Sequence, residues 1–100
     1  MAMGPFNTVS LVYTANKSKL NISAANVVTT NTGHVASISV ITAGSTTGTV
    51  NDVATTGGAA TANQVYVIPN TVGRYPIDFP FFNGLVIVPG TGQVVAVSYA

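Results

Sequence analysis

The residues that could perform chemistry are few in this chain. His34 is the only histidine, Asp52 and Asp78 are the only carboxylate side chains, and the sequence contains neither Glu nor Cys. A Ser-His-Asp triad is formally possible, but no G-x-S-x-G motif is present to expose and activate a serine. Catalysis by paired carboxylates requires two acids that face each other, and the sequence gives no reason to expect this of Asp52 and Asp78. We therefore predict no catalytic residues and a protein that is not an enzyme.

The same inventory predicts neither a metal nor a cofactor. One His and two Asp make at most a poor oxygen-rich metal site, and the lack of Cys excludes thiolate ligands. The glycine-bearing run at residues 44–48 lacks the Gly-Lys-Ser/Thr ending of a phosphate-binding loop. A net charge of +1 without a basic stripe predicts no nucleic-acid partner. No apolar run approaches the roughly 20 residues that span a bilayer, so no membrane partner is predicted either.

The elements that must position these residues are β-strands. Val occurs 16 times and Thr 14 times, and β-branched side chains suit a pleated sheet and lower helix propensity. Only 5% of the residues are charged, against roughly 25% in a typical soluble domain. Because weakly charged strand edges invite pairing with other chains, we expect a permanent assembly. The alternative is a compact monomer that hydroxyl and amide side chains keep in solution.

Short apolar runs alternate with turn residues along the chain. We predict an N-terminal arm at residues 1–7 and one domain at residues 8–100. The domain is predicted to be an all-β, antiparallel β-sandwich or jelly roll of about seven or eight short strands. In the strongest run, Ala36, Ile38 and Val40 are predicted to share one face. The predicted strands cover residues 8–14, 19–23, 26–30, 34–43, 48–54, 64–68, 84–88 and 93–99.

Two connections between the predicted strands have clear turn signals. Residues 55–63 are small and polar and predict an exposed loop. The four residues 89–92, Pro-Gly-Thr-Gly, separate the last two apolar runs and predict a β-hairpin between them.

An aromatic segment at residues 75–82 (YPIDFPFF) is the most distinctive part of the sequence. Its two prolines exclude it from a central strand, whereas burial of its four aromatic side chains is worth roughly 1.5–3 kcal/mol each when complete. We predict that the segment either covers an open end of the sandwich or docks into a neighbouring subunit. Arg74 and Asp78 are four residues apart, and in an extended chain they are too distant for direct contact unless the segment bends.

Short motifs in the last third of the chain suggest a family. They are GRYP at residues 73–76, FFNGLVIVPGTGQ at 81–93 and VSY at 97–99, with further similarity at 33–40 and 48–52. This pattern of a strand, a G-T-G turn and a closing strand resembles small structural proteins of tailed bacteriophages. The resemblance extends over about residues 25–100.

The resemblance implies a β-sandwich component of the virion, and a head decoration (cement) protein that bridges capsid subunits is the first interpretation. The alternative is a tail- or fibre-associated module, either a connector ring subunit or a receptor- or glycan-binding tip. The implied partners are the major capsid protein or other virion proteins, a homo-oligomer is expected, and the implied location is the virion, assembled in the host cytoplasm. The arm, the aromatic segment and the loop at residues 55–63 are the predicted contact surfaces, and the candidate contact residues are Met3, Pro5, Phe6, Arg74, Tyr75, Asp78, Phe79, Phe81 and Phe82.

Overall fold

The computed structural model describes residues 16–100 as an all-β domain with two short 3-10 turns, Thr56–Gly58 and Thr61–Asn63. The predicted arm and the predicted strand at residues 8–14 lie outside the described residues, and so do Met3, Pro5 and Phe6. No helix among residues 16–100 has the length and the apolar character that crossing a membrane requires. The strands are β1 (Lys17–Ile22), β2 (Asn26–Thr29), β3 (Gly33–Thr42), β4 (Gly48–Asn51), β5 (Gln64–Ile68), β6 (Gly73–Phe81), β7 (Leu85–Val88) and β8 (Val94–Tyr99).

The eight strands form two antiparallel four-stranded sheets. One sheet has the order β1-β8-β3-β6 and the other has the order β2-β7-β4-β5. In chain order the first strand pairs with the last, the second with the second-last, and so on. β1 thus pairs with β8, β2 with β7, β3 with β6 and β4 with β5. A long eight-stranded hairpin rolled into two sheets gives this arrangement, which is the strand order of a jelly roll. The predicted fold class is confirmed.

The predicted hairpin between the last two strands is wrong. β7 pairs with β2 and β4, whereas β8 pairs with β1 and β3 in the opposite sheet. The turn at residues 89–92 therefore carries the chain from one sheet to the other. Gln93 holds this crossing in place because its buried side chain accepts from the Gly90 N–H at 3.0 Å and donates to the Pro69 carbonyl at 3.0 Å.

A bulge in β3 changes the predicted alternation of its side chains. The pairing of β3 with β8 shifts register between Val35 and Ser37, which pair with the adjacent residues Tyr99 and Ser98, and this leaves Ala36 as an extra residue of β3. As a result Val35, and not Ala36, joins Ile38 and Val40 in the core. The prediction that Ala36 shares a face with Ile38 and Val40 is wrong for that reason, since an extra residue reverses the alternation beyond it.

The core fills the space between the two sheets with aliphatic side chains and one phenyl ring. Each fully buried side chain of this kind stabilises the fold by roughly 1.5–3 kcal/mol. Valine and isoleucine dominate because the rotamers of β-branched residues are already restricted in a strand. The buried core comprises Ile22, Val35, Ile38, Val40, Val50, Ile68, Phe81, Leu85, Ile87, Val95 and Val97.

The predicted loop at residues 55–63 is folded against the second sheet. The buried side chain of Asn51 donates to Asn63 Oδ1 at 2.8 Å and to the Ala60 carbonyl at 3.2 Å. Asn63 in turn donates to the Gly58 carbonyl at 2.9 Å. Residues 55–58 of the loop are exposed, in agreement with the predicted exposure of the loop.

Candidate functional site

The aromatic segment forms most of the strand β6, with Phe82 directly after the strand, and it does not cover an open end of the sandwich. Among the described residues β6 is the last strand of its sheet and pairs only with β3. This position agrees with the exclusion of the segment from a central strand, because proline has no N–H to donate to a second neighbour. Tyr75 and Ile77 pack against the core from this strand, and Phe81 belongs to it. Whether the outer side of the segment contacts another subunit is not tested by the fold and stays a prediction.

The three phenylalanines of the segment have different environments. Phe81 is completely buried in the core, so its predicted role as a contact residue is replaced by a structural one. Phe79 is 48% exposed and Phe82 is 67% exposed, which is unusual for side chains of this size. The two exposed rings lie three residues apart at the end of β6. We call Phe79 and Phe82 the aromatic edge.

The backbone at Phe82 is fixed by contacts from distant parts of the chain. Both carboxylate oxygens of Asp52 accept from the Phe82 N–H, at 3.0 and 3.1 Å, and Oδ1 also accepts from the Asn83 N–H at 2.7 Å. On the other side of the residue, the Thr32 hydroxyl donates to the Phe82 carbonyl at 3.0 Å. The exposed ring is therefore attached to a turn whose conformation is already set.

Gly84 completes this turn for a steric reason. Its φ is +149°, a conformation that side-chain-bearing residues rarely adopt. A Cβ at this position would lie 2.7 Å from the Val53 carbonyl oxygen and 3.0 Å from that of Thr29. The glycine at position 84 is thus a requirement of the turn that presents Phe82.

Asp78 pairs with His34 rather than with Arg74. His34 Nε2 lies 2.8 Å from Asp78 Oδ1. The contact is an ion pair when His34 is protonated, and no other pair of oppositely charged side chains among residues 16–100 is this close. Asp78 reaches His34 because it sits in a bulge of β6, where its φ of +53° turns the chain. The other ring nitrogen, Nδ1, is buried without a hydrogen-bond partner in the described part of the chain. Since the Asp78 side chain is 85% exposed, the pair contributes little to stability.

The pairing of His34 with Asp78 has no signal in the sequence. The two residues come together only through the register of β3 and β6, which places His34 opposite Pro80, two residues from Asp78. The two carboxylates bind different partners: Asp52 accepts from backbone N–H groups and Asp78 contacts His34. Within residues 16–100, no group of three His, Cys, Asp or Glu side chains is close enough to hold a metal ion.

Arg74 and Tyr75 point to opposite sides of β6. Tyr75 packs against the core, and its hydroxyl donates to the Thr71 carbonyl at 2.7 Å. Arg74 is exposed on the outer face of the first sheet, at the side of a shallow depression of about 240 Å³. The predicted contact residues in the described region are therefore divided among the core, the aromatic edge and this outer face.

Comparison of the chain with protein-family models, with curated proteins and with solved structures found no match. The resemblance to tailed-phage structural proteins therefore stays a prediction that the sequence motifs alone carry.

Proposed function

We propose that this protein is a structural component of a tailed-phage virion, and specifically a decoration protein that stabilises the head shell. The observation that carries the proposal is the aromatic edge, where Phe82 is exposed on a turn that Asp52 and Thr32 hold from both sides. The jelly-roll fold is compatible with this role because viral capsid domains use it, although lectins and cupins use it as well. The phage motifs at residues 81–93 include this same turn.

An exposed phenyl ring on a turn whose backbone is held by hydrogen bonds suits a binding anchor. Aromatic side chains that enter a partner's pocket dominate the energy of many interfaces. A residue that is already held in its bound conformation loses little conformational entropy when it binds. In this proposal Phe82 enters an apolar pocket on the major capsid protein, and Phe79 covers the surface beside it.

The low charge of the chain fits a surface that a partner covers. A decoration protein bridges neighbouring capsid subunits, so each copy contributes a moderate interface and the lattice repeats it. Such contacts gain from effective concentration, since a copy that is bound to one subunit is already close to the next. The shell is stabilised because separating its subunits requires that these bridges break.

A tail- or fibre-associated module is the second candidate. The depression beside Arg74 favours a tip that binds a host glycan, because hydroxyl groups and a cation surround it. This candidate differs from the first in its working surface, since the depression lies on the outer face of the first sheet and the aromatic edge lies at the end of β6.

The proposal is tested by mixing the purified protein with empty, expanded capsids of its phage, pelleting the shells and counting the bound copies. Saturable binding at a number that matches the symmetry axes of the lattice, together with shells that survive more heat, supports the decoration role. No binding to the shells would exclude that role and leave the tail or fibre module. A defined cyclic oligomer in the absence of shells would favour the connector ring.

A further inference from the structure

The outer face of the first sheet carries a depression that the aromatic edge does not use. Small side chains from three strands form its floor, because serine and alanine leave space above the sheet where longer residues would fill it. Leu20, which is 69% exposed, stands at one side of the depression, and Arg74 stands at the other. The lining residues are Ser18, Leu20, Ser37, Ser39, Arg74, Ala96, Val97 and Ser98.

The serine hydroxyls of the floor keep hydrogen-bonding capacity for a ligand. Ser37 Oγ and Ser98 Oγ lie 2.9 Å apart across β3 and β8, so the hydrogen bond between them fixes both side chains. Each hydroxyl can accept a further hydrogen bond, and the one that does not donate within the pair keeps its proton for a ligand. Ser39 and Ser18 form no side-chain hydrogen bond within the described residues, and both open onto the same space.

Arg74 gives the depression a single positive charge. It is the only arginine of the chain, and within residues 16–100 it forms no ion pair or side-chain hydrogen bond. A guanidinium group presents two parallel N–H donors, which match the two oxygens of a carboxylate. Asp78, the nearest acid along β6, is occupied by His34.

We propose that this depression binds one carboxylated sugar ring, such as the uronic acid of an acidic polysaccharide. Its volume of about 240 Å³ lies below the range of roughly 300–1,000 Å³ that pockets for larger ligands occupy, which suits a single ring. Arg74 binds the carboxylate, the serines bind the ring hydroxyls, and Leu20 contacts the apolar face of the ring. The inference deepens the second candidate function, the glycan-binding tip, and it does not depend on capsid binding, because it uses none of the residues of the aromatic edge.

The test is an NMR titration of the ¹⁵N-labelled protein with glucuronate, followed at the backbone amides. Glucose is the probe without the carboxylate, and acetate is the probe without the ring. We expect glucuronate to shift the amides around Arg74, Ser39 and Ser98 with a Kd on the order of 1 mM, as for a small ligand on an open surface. Glucose and acetate are expected to bind at least roughly tenfold more weakly, because each lacks one half of the contacts.

Three variants connect the binding to the depression. Arg74→Gln is expected to weaken glucuronate binding roughly ten- to hundredfold, since it removes a charge-assisted pair. Lys19→Gln is the matched control, because it removes one positive charge from β1 of the same sheet. Lys19 pairs in register with the buried Val97 and lies on the opposite face of the strand from Ser18, so it does not line the depression. Ala96→Leu keeps Arg74 but fills the floor, and it is also expected to abolish binding. Thermal unfolding of each variant confirms that the fold is retained.

Several outcomes would overturn the proposal. If acetate binds as well as glucuronate, the depression is a site for bare anions and the ring is not recognised. Equal binding of glucose would show that Arg74 takes no part. The proposal also fails if no amide shifts at high glucuronate, or if Lys19→Gln weakens binding as much as Arg74→Gln does. None of these results bears on the pelleting of capsids, so the two proposals fail separately.

Discussion

The carboxylate of Asp52 accepts hydrogen bonds from the backbone N–H of Phe82 at 3.0 and 3.1 Å, although 30 residues separate the two in the sequence. Asp52 directly follows β4, and its own N–H donates to the Asn63 carbonyl at 2.8 Å. Asp52 therefore joins the loop at residues 55–63, through its backbone N–H, to the turn that presents an exposed aromatic ring, through its carboxylate. This contact connects the stability of the fold with the shape of the proposed contact surface.

Replacing Asp52 by Ala should loosen the turn and destabilise the protein. The substitution leaves the N–H groups of Phe82 and Asn83 without their acceptor, and we expect a loss of about 1–3 kcal/mol in the free energy of unfolding. Urea denaturation gives this energy, and hydrogen exchange of the two amides shows whether the turn opens. Asp78→Ala is the control, because it also removes a carboxylate but one that is exposed and contacts only the His34 side chain. Unchanged exchange at Phe82 in Asp52→Ala would contradict the role given to Asp52.

The phenylalanines at positions 81 and 82 should respond in opposite ways to substitution. Phe81→Ala removes a buried ring and should cost about 3–5 kcal/mol of stability. Phe82→Ser removes an exposed ring and should leave the free energy of unfolding nearly unchanged. Chemical denaturation of the two variants measures this difference. A large loss of stability in Phe82→Ser would mean that the ring has a structural role and is not available to a partner.

Gly84 should not tolerate a side chain. Gly84→Ala places a Cβ 2.7 Å from the Val53 carbonyl oxygen at a φ of +149°, and we expect a cost of about 1–3 kcal/mol. Gly57→Ala is the matched control, because no atom lies within 4 Å of a Cβ at that position. Thermal unfolding of both variants is sufficient to compare them. Equal melting temperatures would show that the turn before β7 can adjust at little cost.

Gln93 should be a determinant of the crossing between the sheets. Gln93→Met keeps the size of the side chain but leaves the Gly90 N–H and the Pro69 carbonyl unpaired, at about 1–3 kcal/mol for each buried group. The exposed residue Gln64 provides the comparison, and Gln64→Met should have little effect. Urea denaturation again provides the measurement. Similar stability of the two variants would contradict the role of Gln93 in stabilising the crossing between the sheets.

The sequence predicted the class of fold and the places of most strands because both depend on local properties. Val and Thr content indicates strands wherever it occurs, and Gly, Pro and Asn mark the turns. The run at residues 64–68 coincides with β5, and the other predicted strands within residues 16–100 overlap the observed ones. The exclusion of the segment with Pro76 and Pro80 from a central strand also follows from a local property, because proline has no backbone N–H to donate.

The partners of the strands could not be predicted in the same way. The turn at residues 89–92 reverses the chain in a hairpin and in a crossing between sheets alike, so its residues do not decide which strand is the neighbour. The bulge at Ala36 arises from the register of β3 against β8, and the bulge at Asp78 from the register of β6 against β3. The contact of Asp52 with Phe82 depends on the same long-range assembly, and for that reason the sequence alone predicted the aromatic segment but not its anchor.

The most direct test of the role of Phe82 as an anchor on the shell is the saturation binding of three proteins to empty, expanded capsids: the wild type, Phe82→Ser and Val72→Ser. Val72 is 61% exposed, close to the 67% of Phe82, but lies beyond the other end of β6, so it controls for the loss of apolar surface. We predict that the wild type and Val72→Ser saturate the shells at the same copy number, while Phe82→Ser does not bind. Binding of Phe82→Ser at the wild-type level, or no binding of the wild type, would contradict this role.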